Sequence, residues 1–304
     1  MADAQVLAQV RPLRARPQTM AGLAWWRFTR HRMAVAGLLV VAVLGAASAL
    51  APWLSPYDPD KPQLQVQLRA PSPVHPLGTD DLGRDLLTRI MYGGRISLSI
   101  GVLAMALAVV IGTAVGAAAG YYGGAIDNLL MRFTDLVLSI PALFLLIVLT
   151  LLLRSFPLPF LRGGVLAIVL AIAFLSWMTV ARLVRASFLS LKEQVYVEAA
   201  RALGAGHGRI MARHILPNAA SPIIVAATLR VASSIITESG LSFLGFGVQP
   251  PTATWGNMLK NAQDQMITAP WTAIFPGLFI FVTVIAINYV GDGLRDALDP
   301  RHLR

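Results

Sequence analysis

The residues that could carry out catalysis or bind a metal are few in this chain. It has no cysteine, which excludes disulfides, thiol nucleophiles and metal sites built on cysteine. Its five histidines form neither an HExxH motif nor a short cluster, so we expect no metal site. No Ser/His/Asp arrangement or catalytic carboxylate pair is recognisable from the spacing. The sequence therefore favours a protein that is not an enzyme.

A phosphate-binding loop is also missing from the sequence. The pattern G-x-x-x-x-G-K-[ST] needs a lysine directly after a glycine, and none of the three lysines follows one. The run GAGHG at 204–208 is rich in glycine, but it does not follow a predicted strand. We therefore expect this chain to bind no cofactor, and any energy source to lie on another subunit.

Two ionisable residues fall inside an apolar stretch and are candidates for lining a pathway. Arg230 and Glu238 are eight residues apart, which on a helix places them about 80° apart around the axis and about 12 Å along it. A charge inside a membrane span is costly, and it commonly marks a route for a substrate or ion. The alternative is that one or both lie near a helix end or pair with another subunit.

A polar segment with small residues, EAARALGAGHGRIMARHILPN at 198–218, lies between two apolar stretches. Before it, apolar or small residues recur at every fourth position on one face of a predicted helix: Leu191, Val195, Ala199 and Leu203. Gly204 is typical of a helix end. A second short helix is predicted from Gly206 to Ile215, and a new helix can begin at Pro217. This order favours a docking surface over a simple connector, because small residues beside Glu198 would let a partner approach closely.

The elements that position these residues are membrane spans. The chain is 56% hydrophobic and only 13% charged, with a mean hydropathy of +0.65, whereas soluble domains carry about 25% charged residues. A spanning helix needs about 20 mostly apolar residues. Six segments meet that description approximately: 34–54, 97–119, 136–153, 164–184, 222–241 and 271–290. Pro141 predicts a kink in the third.

The distribution of basic residues predicts the orientation. With both termini in the cytoplasm, the inside segments carry twice as many basic residues as the outside ones, which also explains the net charge of +10 without nucleic acid. The basic N-terminal segment 1–33, the segment 185–217 and the tail 292–304 are then cytoplasmic. The segment 55–96 lies outside. Its first half is rich in proline, and its second half predicts an amphipathic helix at the outer interface.

Three glycines repeat at every fourth position in the second predicted span. Gly112, Gly116 and Gly120 would form one narrow face of that helix. Small residues at this spacing let two membrane helices pack closely. We interpret them as a packing seam and not as a ligand site.

The segment at 198–217 resembles the EAA loop of ABC importer permeases, whose pattern is roughly E-A-A, three residues, G, nine residues, then I-x-L-P. The matching positions are Glu198, Ala199, Ala200, Gly204, Leu216 and Pro217, with His214 in place of the isoleucine. Other segments resemble the C-type permease of dipeptide and oligopeptide importers: residues 75–101, 240–259 and 291–301.

This resemblance implies an all-α, type I permease with six transmembrane helices in the inner membrane and a permease core at 97–291. The loop would be a coupling segment that docks on one or two ATPase subunits, which bind ATP and Mg²⁺. A homologous B-type permease would complete the pathway, and an extracytoplasmic binding protein would deliver short peptides. Nickel or glutathione remain alternative cargoes. An ion-gradient-driven secondary transporter, with Glu238 as its acidic site, and a purely structural membrane subunit are the rival classes.

Overall fold

The computed structural model describes residues 20–299 except residue 163. Residues 1–19 and 300–304, which belong to the predicted terminal segments, lie outside this range. Within it, the principal helices are α1 (Met20–Phe28), α2 (Arg32–Ala49), α3 (Leu86–Tyr122), α4 (Gly124–Leu138), α5 (Ala142–Ser155), α6 (Val165–Leu191), α7 (Val195–Ala202), α8 (His207–Phe243), α9 (Trp255–Asn261) and α10 (Trp271–Leu298). Single helical turns lie at Ala51–Leu54, Leu64–Val66, Pro159–Arg162 and Gln263–Gln265. The described residues form no extended β-sheet, only one isolated bridge.

Five of these helices are long and apolar enough to cross a membrane: α2, α3, α6, α8 and α10. The third predicted span, 136–153, is wrong as a single helix. Its residues belong to α4 and α5, which meet at an angle of 94°. Pro141 lies at this break. Proline cannot donate a helix hydrogen bond, and it disfavours helical geometry in the residue before it. The pair counts as a sixth span only if both arms together cross the membrane.

The separate amphipathic helix predicted in the segment 55–96 is also wrong. The chain enters α3 at Leu86, with Asp85 as its N-cap accepting a hydrogen bond from the backbone nitrogen of Thr88 at 2.8 Å. The predicted amphipathic residues are thus the first turns of α3. This helix has 37 residues, or about 55 Å at 1.5 Å per residue, so it extends well beyond a membrane core of about 30 Å.

Buried ion pairs hold the segment before α3 against its first turns. Asp80 pairs with Arg84 at 2.7 Å and with Arg89 at 3.4 Å. Beside them, His75 Nδ1 lies 3.0 Å from Asp85 Oδ1. Because the four partners Asp80, Arg84, Arg89 and Asp85 are all nearly excluded from solvent, this proline-rich segment is fixed to α3 and is not a loose loop.

The three repeated glycines lie where α3 packs against α6. A Cβ on Gly112, Gly116 or Gly120 would lie 2.4 to 2.7 Å from a backbone oxygen of α6. The two helix backbones therefore approach as closely as small residues permit. This contact fixes the C-terminal half of α3 against the helix that leads into the 198–217 segment.

Candidate functional site

The helix α7 has one face turned into the protein. Val197 is fully buried and Ala200 is 8% exposed. They pack near the C-terminal end of α6 and the N-terminal end of α8, where a buried apolar cluster contains Tyr121, Val180, Val184, Phe188, Val197, Ile210, Ile215, Ala219 and Ile223. α7 therefore shares one buried cluster with two long helices.

The opposite face of α7 is apolar as well, but nothing in the described part of the chain covers it. Val195 is 79% exposed and Leu203 is 88% exposed. Glu198 and Ala199 are exposed between them, and Glu198 forms no ion pair with the residues that the structure describes. Of the four residues predicted to share one face, Val195, Ala199 and Leu203 lie on this outward face. Leu191 belongs to α6 and packs against the buried cluster. The inward contact of α7 comes from Val197 and Ala200.

Gly204 ends α7 with a Schellman motif. The backbone nitrogen of Gly204 donates to the carbonyl oxygen of Arg201, and that of Ala205 donates to Ala200, each at 3.0 Å. Gly204 has a φ of +81°, which L-residues with a side chain adopt only at a cost. The sequence prediction of a helix stop at this position is thus matched by the backbone geometry.

Gly204→Ala is expected to lower the free energy of unfolding by about 1 kcal/mol, because the Cβ strains the left-handed conformation. A Cβ there would meet no atom within 4 Å, so the loss isolates backbone strain from packing. The matched control is Gly208→Ala, which is equally open but lies in α8 with no positive φ. Thermal melting of the purified protein in detergent measures both, and equal melting temperatures would contradict the expectation.

The predicted short helix Gly206–Ile215 corresponds to helical turns at His207–Ile215, and regular α geometry begins at Leu216 with Pro217 in its first turn. The two parts are joined without a break. One continuous helix, α8, runs from His207 to Phe243, with a π-helical stretch at Ile210–Ile215. The wider π turn gives room for the ring of Pro217, which would clash with a carbonyl of the preceding turn in regular α geometry. Within this region His214 is half-buried and Pro217 is exposed. Leu216 packs against the buried cluster.

The predicted loop 185–217 is therefore shorter in the structure. Residues up to Leu191 belong to α6, and residues from His207 belong to α8. The remaining connection, 192–206, contains α7. The predicted loop was too long because hydropathy identifies only the apolar part of each helix. Both α6 and α8 continue beyond their apolar parts, where their ends pack on each other.

Two contacts that sequence reasoning missed fix the surroundings of α7. The hydroxyl of Tyr121, at the end of α3, lies 2.8 Å from His207 Nδ1 at the start of α8. Arg185 in α6 donates two hydrogen bonds to Asp127 in α4, at 2.5 and 2.6 Å. Each pair joins helices that are far apart in sequence, so no local spacing could have indicated it.

Glu238 does not line an open pathway within this chain, which corrects its prediction. Its carboxylate is fully buried and accepts hydrogen bonds from Ser97 at 3.1 Å and Ser242 at 2.7 Å. The backbone nitrogen of Trp255 donates to the same Ser97 hydroxyl at 3.3 Å. Glu238 thus ties α8 to α3 through Ser97, and the backbone of α9 joins the same hydroxyl. Its other donor, Ser242, lies on α8 itself.

Arg230 is half-buried on α8. It makes no ion pair or hydrogen bond with any residue between 20 and 299 that the structure describes. Its pathway-lining role stays a prediction. No group of three His, Asp or Glu side chains within the described range is placed to hold a metal ion.

Comparisons with known proteins place this architecture among transport proteins. Residues 112–304 match the family model described as binding-protein-dependent transport system inner membrane component. Residues 19–71 match the N-terminal TM domain of oligopeptide transport permease C.

Among curated proteins, the chain is similar to two proteins named glutathione transport system permease protein GsiD. The one from Pectobacterium atrosepticum is 44% identical over 278 residues, covering 91% of this chain and 90% of the relative. The one from Escherichia coli O157:H7 is also 44% identical, covering 91% and 89%. Among solved structures, the inward-facing MetNI methionine ABC transporter matches with a TM-score of 0.56 at 18% identity, covering 69% of this chain and 96% of that one.

Proposed function

The chain belongs to the family of binding-protein-dependent transport system inner membrane components, and from that premise we propose that it carries glutathione or a similar short peptide into the cell. It is a permease subunit of an ABC importer and a multi-pass inner membrane protein with the type I fold. It is not an enzyme, and ATP hydrolysis belongs to the partner ATPases. The family predicted from the sequence resemblance is thereby confirmed.

The cargo assignment rests on the identity of 44% across 91% of the chain to permeases named for glutathione transport. This supports the glutathione alternative better than the dipeptide or oligopeptide cargo that the motifs first suggested. Glutathione is itself a tripeptide, so the two hypotheses share a cargo class. Neither nickel nor an ion gradient has a comparable supporting observation.

The proposed coupling route begins on the outward face of α7. Val195, Glu198, Ala199 and Leu203 are exposed there, and they would contact a groove on an ATPase subunit that binds ATP and Mg²⁺. The inward face of α7 adjoins the buried cluster at the ends of α6 and α8. Because protein interiors are close-packed and transmit displacement, closure of the ATPases would shift these two helices together.

The proposed assembly is completed by three kinds of partner. A homologous B-type permease would supply the second half of the pathway, and one or two kinds of ATPase would bind on the side of α7. A binding protein would deliver cargo to the opposite face, near the segment that Asp80 and Arg84 hold against α3. Surrounding lipid would contact the exposed apolar faces of α2, α3 and α10.

The test is uptake of labelled substrate by the complete complex with its binding protein in proteoliposomes. Labelled glutathione, a dipeptide and Ni²⁺ are compared, each with ATP inside and then with only an ion gradient. We expect ATP-dependent uptake of glutathione above the other two. Uptake of the dipeptide alone would favour the dipeptide or oligopeptide cargo over glutathione. Uptake driven by the gradient without ATP would contradict the proposal.

A further inference from the structure

A cavity of about 280 Å³ lies between the proline-rich segment before α3, the first turns of α3 and the chain leading into α9. Its polar lining comes from Asp60, Tyr92, Arg95, Ser99 and Thr252. By the predicted orientation this is the outer end of the molecule, where cargo would arrive. The proposed coupling surface lies at the other end of α3, so the cavity has no part in ATPase docking.

The cavity presents two opposite charges from two different elements. Arg95 on α3 is exposed, and no carboxylate among residues 20–299 that the structure describes lies within ion-pair distance of it. Its guanidinium lies 5.8 Å from the ring centroid of Tyr92. Asp60 is held by Arg89 Nη1 at 3.6 Å, yet 45% of its side chain remains exposed. A guanidinium with no carboxylate partner among the described residues thus lines the same space as a carboxylate whose side chain is still partly exposed.

The uncovered face of α3 continues inward from this point. Arg95 and Ser99 are one turn apart, and both also line a second cavity of about 480 Å³ beside α2, with Gly45, Val102 and Leu103. Arg95 belongs to the segment 55–96 that is predicted to lie outside the membrane, so its guanidinium is placed to face water or a partner and not the lipid tails. This part of α3 is therefore suited to a wet path at the outer ends of two permeases.

We propose that the cavity around Arg95 and Asp60 binds short peptides that carry a free α-carboxylate and a free α-ammonium group. The carboxylate would form a bidentate pair with Arg95, the geometry in which arginine binds carboxylates most strongly. The ammonium group would lie at Asp60, while the hydroxyls of Ser99 and Thr252 would contact the peptide amides. At about 280 Å³ the cavity is near the lower limit of ligand pockets, which favours one to three residues of cargo.

This inference rests on the proposed function, because it names the cargo chemistry recognised within the same permease. It adds a recognition step in the permease itself, after release from the binding protein. A zwitterionic peptide matches both charges at once, whereas a simple anion or cation would leave one of them without a partner. Peptides blocked at both ends would lose both contacts.

The absence of cysteine from the chain allows a direct test. Ser99→Cys introduces its only thiol, which is treated in the assembled complex with a membrane-impermeant thiol reagent and followed by the mass of this chain. The probe is S-methylglutathione, whose blocked thiol cannot consume the reagent. We expect the reagent to modify the introduced cysteine. Millimolar probe should lower the rate of this modification about tenfold, because a peptide bound in the cavity would cover the thiol. Thr252→Cys on the opposite wall serves if the first variant does not assemble.

Arg95→Gln is then combined with the cysteine variant, and Arg69→Gln is the matched control. Arg69 is exposed on the same outer segment, but it lies outside the cavity, and its guanidinium donates to the carbonyl of Gln65 at 3.3 Å. We expect Arg95→Gln to raise the half-protecting concentration of the probe about tenfold or more, since it removes a charge-assisted hydrogen-bond pair. Arg69→Gln should leave it unchanged.

Three results would overturn the site: no modification at either wall, equal protection by N-acetyl-alanyl-alanine amide, or unchanged protection in Arg95→Gln. These outcomes are separable from failure of the proposed function. Protection without any glutathione uptake by the complex would retain the site and refute the cargo. Uptake that proceeds normally without protection would retain the cargo and refute the site.

Discussion

Gly116→Ala is expected to be strongly destabilising, although alanine is the smallest substitution available. A Cβ at this position would lie 2.4 Å from the carbonyl oxygen of Ala181 and 2.8 Å from the Cβ of Val184. The first of these is a backbone atom of α6, so no rotamer change can relieve the contact. Adding volume to a close-packed interface costs about 1–3 kcal/mol, and the cost here should be near the top of that range.

The matched control is Gly240→Ala in α8, where an added Cβ would meet no atom within 4 Å. It removes the same glycine flexibility from a long apolar helix without introducing a clash. Thermal melting in detergent, followed by size-exclusion chromatography, should show a lower melting temperature for Gly116→Ala only. A further variant, Gly116→Leu, should give no folded protein. Equal stability of the two alanine variants would show that α3 and α6 can separate at no cost.

Apolar stretches predicted most of the spans because lipid imposes its requirement on each segment separately. A helix such as α6 must be apolar along its length whatever its neighbours are, so the run around 164–184 was recognisable alone. The helix ends were not, since Leu191 and His207 are positioned by contacts between α6 and α8. The 94° break near Pro141 was predicted only as a kink, because proline locates a bend but does not determine its angle.

The candidate residues were predictable where their structure depends on neighbouring residues, and not where it depends on contacts with distant parts of the chain. Gly204 was predictable because a helix stop depends on the conformation of one residue. The burial of Glu238 and its hydrogen bond depend on Ser97, which is 141 residues away. Helical periodicity shows which residues share a face, but it does not show which helix that face will contact. For α7, apolar residues lie on both faces, so only the packing of Val197 and Ala200 identifies the inner one.

Glu198→Arg is expected to separate this chain from its ATPase partners while leaving its own fold intact. Glu198 is exposed on the outward face of α7 and forms no ion pair with the described residues of this chain. Reversing its charge therefore removes no contact that holds α7 in place. On the proposed docking surface, however, the new arginine would place a positive charge opposite an ATPase group that is complementary to a carboxylate. Juxtaposed like charges cost several kcal/mol, which corresponds to a loss of about a hundredfold or more in affinity.

The measurement is co-purification of ATPase subunits with the tagged permease, together with ATP hydrolysis stimulated by loaded binding protein. Glu193→Arg is the matched control, because it reverses an exposed glutamate in the turn just before α7 and outside its outward face. We expect Glu193→Arg to retain both activities and Glu198→Arg to lose both, with the same melting temperature for the two permeases. If Glu198→Arg still binds and stimulates the ATPases, the outward face of α7 is not the coupling surface. If both variants fail alike, the effect follows the net charge of the connection 192–206 and not the face of one helix.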